Sequence, residues 1–199
     1  MHKPTNFFTR AFLWVAVCVL SPSAFADWTL DNDRSQLTFV SIKAGHIAEI
    51  HRFTQLKGQV NDAGQVTAEI VTASIDSMIA IRDERMREFL FESEIFPNIT
   101  VTANIDPEQL NDLQPGDGAA QSVDAKVTFK DRELDVAMQL IALRLNDTTL
   151  LVNTLQPILL NTASVGFDTG VNKLQELAGL PSISQAVPVS FTLTFVDED

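Results

Sequence analysis

The sequence predicts an all-β fold with one or two short helices, arranged as an eight-stranded antiparallel barrel. Two observations carry this. Apolar and polar residues alternate with period 2 in segment after segment, and no strand–helix–strand rhythm of a parallel sheet appears. Eight such segments can be counted, and about eight strands close into a barrel able to hold one small ligand. A β-sandwich is the competing architecture, because alternation does not by itself decide closure.

The first strand spans Arg34 to Lys43. Gln55 to Asn61 and Val66 to Ala73 follow, joined by the turn residues Asn61-Asp62-Ala63-Gly64. The rhythm then breaks: Met86, Phe89 and Leu90 fall at i, i+3, i+4, the stripe of an amphipathic helix, and Pro97 stops it. Ile99, Val101, Ala103 and Ile105 form the fourth strand, which Pro107 ends. Asn111 to Gln121 is polar and holds Gly and Pro, the composition of a loop. Val123, Ala125, Val127 and Phe129 alternate with polar residues, and Lys130-Asp131-Arg132-Glu133 is the hairpin turn to Leu134, Val136, Met138, Leu140 and Ala142. Thr148 to Leu160 is the seventh strand. Val171 to Leu180 is a second helix, with Leu174, Leu177 and Ala178 on one face, Gly179 near its end and Pro181 beyond. The last strand sets Val187, Val189, Phe191, Leu193 and Phe195 against Pro188, Ser190, Thr192 and Thr194.

The first 26 residues have the three parts of a secretory signal: Lys3 and Arg10, an apolar run from Ala11 to Leu20, and Ala24-Phe25-Ala26 at the cleavage site. Ten apolar residues cover only about half of a ~30 Å hydrocarbon core, which disfavours a transmembrane helix. A lipoprotein anchor at Cys18 would place bulky Val17 before the cysteine and ranks lower. Cleavage after Ala26 leaves one domain, residues 27–199, in the periplasm, with no stable membrane insertion. Of 199 residues, 173 remain; losing Lys3 and Arg10 leaves 12 cations against 26 acids, a formal charge of −14. This charge disfavours nucleic acid as a partner and tight docking on anionic lipid. Cys18 leaves with the signal, which excludes a thiolate nucleophile or metal site from the mature chain.

Catalytic motifs are absent: no phosphate-cradling glycine loop, no Gly-x-Ser-x-Gly elbow and no His-Glu-x-x-His. His46, Glu49 and His51 could hold zinc or copper by ligand type, but on a strand His46 points opposite to the other two. Asp83/Glu84 and Glu92/Glu94 could mimic a glycosidase pair, although neighbours in sequence say nothing of the required separation. What stands out is apolar. The mature chain has nine phenylalanines and no tyrosine. A packed core is the plain reading; a dry cavity wall is the sharper one.

Three stretches resemble the YceI-like family of secreted bacterial proteins. The first is Trp28-Thr-Leu-Asp31, then Ser35-x-Leu37-x-Phe39, then Phe53 and Gly58. The second and most specific is Ala73-Ser-Ile-Asp76, followed by Arg82-Asp-Glu-Arg-Met86 and Ile95-Phe-Pro97-x-Ile99. The third comprises the Val123 to Val136 hairpin, Ala163 to Gly166 and the closing Val187-Pro-Val-Ser-Phe strand. Ala125 and Lys130 depart from glycines that frame the family's central hairpin, and Asn161-Thr-Ala-Ser164 departs from a family arginine. The resemblance implies a lipocalin-like barrel holding a polyisoprenoid chain or an isoprenoid quinone, with no covalent cofactor, no metal and no catalytic residue set. Micromolar binding needs about 8 kcal/mol, which on the order of ten buried CH₂ groups supply at ~0.8 kcal/mol each, before association costs.

The expected ligand-lining residues are Phe39, Phe53, Phe129, Phe167 and Phe191, with Met78, Ile79, Met86, Phe89 and Leu90 from the segment Ser74 to Pro97. That segment is expected to close one end of the barrel, with Met86, Phe89 and Leu90 facing the cavity and Arg82 and Asp83 fixing its backbone. The alternative is that the three pack outside as a satellite core. A homodimer is a further candidate partner state. Two other functional classes remain open. One is a periplasmic enzyme acting on a small hydrophobic substrate through His46 or His51 and Asp83. The other is a structural barrel filled by its own side chains.

Overall fold

A computed structural model describes residues 28–197; the expected signal segment lies outside them. The described residues form eleven strands: β1 (Trp28–Lys43), β2 (Ile47–Phe53), β3 (Leu56–Val60), β4 (Gln65–Val71), β5 (Ile75–Asp76), β6 (Asn98–Asn104), β7 (Gly118–Phe129), β8 (Arg132–Asn146), β9 (Thr149–Thr154), β10 (Ile158–Asn161) and β11 (Ala186–Asp197). Eight close a ring in the order β1-β3-β4-β6-β7-β8-β9-β11, with β11 returning onto β1, and every pairing is antiparallel. Seven of the eight expected segments each fall on one ring strand; the other, Thr148 to Leu160, is broken at residues 155–157 into β9, in the ring, and β10, beyond it. Beyond the ring, β2 continues the edge that β3 begins on β1, and β10 does the same beside β9 on β11. The barrel is thereby extended on the β1–β11 side.

A bulge in β1 sets which residues face inward. Pairing with β11 is regular at Trp28–Asp31, shifts, and resumes at Gln36. Trp28 and Leu30 face the interior before the shift, Leu37 and Phe39 after it. The extra residues are held in place: Asp31 Oδ1 accepts from the backbone of Asp33 and Arg34 (3.0 and 3.3 Å), and Ser35 Oγ donates to Asp31 O (2.6 Å) and accepts from Thr194 N (3.0 Å). Gly64 makes the β3–β4 turn with φ +74°; a Cβ there would lie 2.1 Å from the Ile105 carbonyl oxygen, so only glycine fits.

The two ends of the barrel differ. The register stacks Trp28 beside Val60, Val66 and Ala103 at one end. There α2 (Pro107–Asn111) starts on its N-cap, Asp106, and buries Leu110 in the core. The Arg144 guanidinium lies over the Trp28 ring at 4.9 Å from its centroid. At the other end α1 (Ala80–Arg85) runs on into a wide i→i+5 turn, Met86–Phe91, and α3 (Asp168–Leu177) packs against it. The approach is close: a Cβ on Gly170 would meet Phe89 O at 2.6 Å and Leu90 Cα at 2.8 Å. Phe53, Phe91, Phe167 and Phe129 make successive ring contacts beneath this cap, at centroid separations of 5.4, 5.5 and 4.9 Å.

The loop expected over Asn111 to Gln121 is shorter than its composition implies. Pro107 opens α2, and β7 already begins at Gly118, paired with Leu143. The hairpin at Lys130 turns in two residues, with Lys130 at φ 55°.

Candidate functional site

The inward faces do not meet. They enclose a cavity of about 610 Å³, within the ~300–1,000 Å³ range of small-molecule sites. Its wall follows from strand parity. The inward residues of β6 (Ile99, Val101, Ala103), β8 (Leu134 to Ala142) and β11 (Val187 to Phe195) all line it. The register puts Gly58, Ala68, Val101 and Val127 in one row across four strands. Leu30 and Phe195 pack over Gly58, and the short side chains of Ala68, Val101 and Val127 leave the interior open.

One group of polar residues in the wall lies at the α1 end of β1 and β2; Lys57, Glu69, Gln121, Arg132 and Thr162 line it elsewhere, with Gln121 Nε2 and Thr162 Oγ1 buried and without a hydrogen-bond partner. On β2 the inward residues are Glu49, His51 and Phe53, facing Ser41, Phe39 and Leu37 of β1. His51 is 3% exposed. Its Nε2 and Ser41 Oγ are 2.7 Å apart, its ring centroid is 5.1 Å from that of Phe39, and its Nδ1 has no hydrogen-bond partner. Burial, followed by the Arg82 charge, pushes the imidazole below its ordinary pKa, so the ring is neutral at pH 7. Glu49 holds both neighbouring cations: Oε2 lies 2.9 Å from Lys43 Nζ and 3.0 Å from Arg82 Nη1, and Oε1 accepts from Arg82 Nη2 at 3.2 Å. Burial raises this carboxyl, but the Lys43 hydrogen bond and the Arg82 charge outweigh it and hold the group below the usual carboxylate range. Ile79 and Ile81 line the cavity here while 43% and 53% exposed, which marks the opening.

Of the expected lining residues, Phe39, Phe53, Ile79, Met86, Leu90, Phe129, Phe167 and Phe191 stand in the cavity wall. Met78 and Phe89 do not. Met78 sits at φ 60° with 82% of its surface exposed, turned outward where β5 ends. Phe89 is displaced by helix geometry: the i→i+5 turn over Met86–Phe91 faces Met86, Leu90 and Phe91 inward in place of the i, i+3, i+4 set. Phe91, 3% exposed, is the residue that 3.6-residue periodicity overlooks. The backbone contacts expected of Arg82 and Asp83 divide. Asp83 Oδ1 accepts from Ser77 N (2.8 Å) and Ser77 Oγ (2.5 Å), fixing the start of α1, whereas the Arg82 side chain reaches across to Glu49.

His46 stands exposed in the β1–β2 turn, and the hydrogen bonds of Asp83 go to Ser77, so the three residues of the enzyme reading form no hydrogen-bonded unit. No group of three or more His, Cys, Asp or Glu among the described residues is placed to hold a metal ion.

A closed eight-stranded antiparallel barrel with a long apolar interior defines a lipocalin-like binding fold. The YceI-like domain model matches residues 28–195, and the chain belongs to that family. A solved polyisoprenoid-binding domain from Saccharophagus degradans, described as implicated in plant cell wall breakdown, is 33% identical with a TM-score of 0.84. That match covers 87% of this chain and 99% of the other. BcnA of Burkholderia cenocepacia is 17% identical (TM-score 0.64), covering 83% and 98% of the two chains. The Campylobacter jejuni YCEI protein is 10% identical (TM-score 0.52), covering 75% and 85%. The last two likenesses speak for the fold alone. Comparison with curated proteins gave no match.

Proposed function

We propose that the protein is a secreted periplasmic carrier of an isoprenoid lipid, a polyprenyl chain or an isoprenoid quinone. The tail fills the barrel and the polar head rests at the opening, for transport, storage or protection under stress. The observation that carries this is the cavity itself: about 610 Å³, mainly apolar, closed around Trp28 and Leu110, and open beside Ile79 and Ile81. A barrel built only as a scaffold would be filled by its own side chains. The similarity to the Saccharophagus degradans domain supports the ligand class.

The quinone or prenol head is supported by His51. A buried polar atom without a partner costs about 1–3 kcal/mol, and His51 Nδ1 is such an atom in the cavity wall. With Ser41 donating to Nε2, Nδ1 carries the proton and suits a carbonyl oxygen; with the tautomer reversed, it accepts from a hydroxyl. Lys43 and Arg82 are already engaged by Glu49, so a neutral head meets no unpaired charge at this position.

The test is solvent extraction of protein purified from its native host, followed by mass spectrometry. A stoichiometric prenyl lipid is expected. Repeated preparations with no prenyl lipid, together with no binding of added geranylgeraniol, refute the proposal.

A further inference from the structure

Nine large apolar side chains are strongly exposed among the described residues, and five of them, Ile47, Ile50, Met78, Ile79 and Ile81, fall on β2 and the β5–α1 segment. These two stretches are neighbours. β2 pairs with β5 through Arg52↔Asp76, a register that carries Ile50 toward Met78, and Arg82 of α1 reaches Glu49 of β2. Ile79 and Ile81 also line the cavity. At Ile79 and Ile81 the cavity opening therefore adjoins an apolar outer face, beside the ion-paired Lys43, Glu49 and Arg82.

The face is built, not frayed. Met78 N donates to Asp76 Oδ1 at 2.8 Å, and Arg52 Nη2 holds Asp76 Oδ2 at 2.7 Å. A left-handed turn at a non-glycine residue costs free energy, and this one presents a thioether to solvent at 82% exposure. The charge is also local. Residues 43–53 and 75–85, to the end of α1, hold Lys43, Arg52, Arg82 and Arg85 against Glu49, Asp76, Asp83 and Glu84, and Glu49 and Asp76 are ion-paired. The stretch is neutral in a chain of formal charge −12. It does not share the repulsion that the rest of the surface offers to anionic lipid.

We propose that this face docks on a lipid bilayer, bringing the cavity opening against the acyl layer so that the ligand chain passes between membrane and barrel without crossing water. The inference rests on the isoprenoid reading above. A bilayer fits the face better than a protein partner does. The exposed groups are aliphatic side chains and one methionine, whereas protein interfaces are anchored by Trp, Tyr and Arg in fitted pockets. In these stretches the sole aromatic ring besides histidine, Phe53, is buried, and Arg52 and Arg82 are committed to Asp76 and Glu49. Few apolar groups on a face without net charge give weak, reversible attachment, which a carrier requires.

The test uses the mature chain, its Ile50→Ser/Met78→Ser double variant, and Leu159→Ser as an exposed control off the face. Two measurements are independent of each other: flotation with phosphatidylethanolamine/phosphatidylglycerol vesicles, and geranylgeraniol binding in solution read by co-elution of labelled geranylgeraniol with the protein on gel filtration. A third is the rate of geranylgeraniol transfer from donor to acceptor vesicles. The unaltered protein and the control should float, and their transfer rate should rise with acceptor concentration. The double variant should lose flotation and at least tenfold in transfer rate while binding geranylgeraniol as before. Transfer independent of acceptor concentration, an unaffected double variant, or a solution dimer that the double variant abolishes would each overturn the proposal. Failure of geranylgeraniol to bind the unaltered protein refutes the ligand reading instead, and flotation reports on the face regardless.

Discussion

Replacing Ala68 by Phe tests whether the cavity is the binding site. Ala68 faces inward from β4, between Gly58 of β3 and Val101 of β6. Phe suits a strand; Leu30 and Phe195 already pack over Gly58, within 3.2–3.5 Å of where a Cβ would stand, so the new ring must extend into the cavity. The substitution adds six carbons to the cavity and so removes space for about as many ligand carbons, a little over one isoprene unit. At ~0.8 kcal/mol per buried CH₂ the displaced contacts are worth roughly 5 kcal/mol, three to four orders of magnitude in affinity for a chain that fills the barrel. A chain can slide toward the opening, so the loss should be large for long prenols and small for short ones. The lipid extracted from Ala68→Phe should be shorter by about one unit or present at lower stoichiometry. Chain-length-resolved mass spectrometry and titration with a prenol series read this directly. Thermal stability should hold or rise, because a ring enters open space and not a packed core. Unchanged affinity across the series would place the ligand outside the barrel. Loss of folding would show that the Gly58–Ala68–Val101 row is closed.

Four further outcomes are expected. Gly170→Ala should destabilise the α3 cap by about 1–3 kcal/mol, since the added carbon falls 2.6 Å from Phe89 O; an unchanged urea midpoint would refute the close approach. The His51 imidazole lies below its ordinary 6.5 in the folded chain, so the unfolded chain binds the proton first and stability should fall as pH drops through and below about 6.5. His51→Phe should flatten that first part of the acid limb in urea titrations at pH 7.5 and 5.5. Glu49, held below its ordinary 4.5, contributes stability above that pH which is lost as pH falls further, so Glu49→Gln should flatten the lower part of the curve. Trp28, the tryptophan of the described residues, lies at the closed end, on the order of 30 Å along β1 from Ser41 at ~3.3 Å per residue once the bulge is left out. A long-tailed quinone seated head-outward should quench its fluorescence far less than a tailless benzoquinone small enough to reach the bottom.

Much of the ring was legible because a strand with one apolar and one wet face writes its parity into the sequence. Val187 to Phe195 and Leu134 to Ala142 show this: each alternate residue named from the pattern lines the cavity. Parity fails where a local device shifts it. The bulge between Asp31 and Gln36 moves the inward set from Trp28 and Leu30 to Leu37 and Phe39, so the first third of β1 is out of phase with the rest and only the segment from Arg34 is recognisable. The wide turn does the same to the helix, exchanging Phe89 for Phe91. Neither a bulge nor an i→i+5 turn has a composition that announces it. The alternation likewise could not tell a filled barrel from an open one. That distinction comes from the cross-strand row of Gly58, Ala68, Val101 and Val127, which exists only once the register is known.

β2 escaped detection for a different reason, and that reason bears on function. In Ile47-Ala-Glu-Ile-His-Arg-Phe53 the inward positions are Glu49, His51 and Phe53, while Ile50 faces out at 63% exposure. The usual assignment of apolar to inside and polar to outside is reversed at Glu49, Ile50 and His51, so the segment does not read as a half-buried strand. The reversal is confined to the end of the barrel where Ile79 and Ile81 open the cavity. At the closed end the inward residues are Trp28, Leu30 and Phe195, in the ordinary sense. A strand that buried Glu49 and His51 merely to complete a fold would incur desolvation for nothing. Here Glu49 is matched by Lys43 and Arg82, and His51 keeps one nitrogen unpartnered. Polar groups inside and aliphatic groups outside are what an opening between water, lipid head and acyl chain calls for. The same seven residues thus connect head-group recognition within the cavity to membrane contact around it.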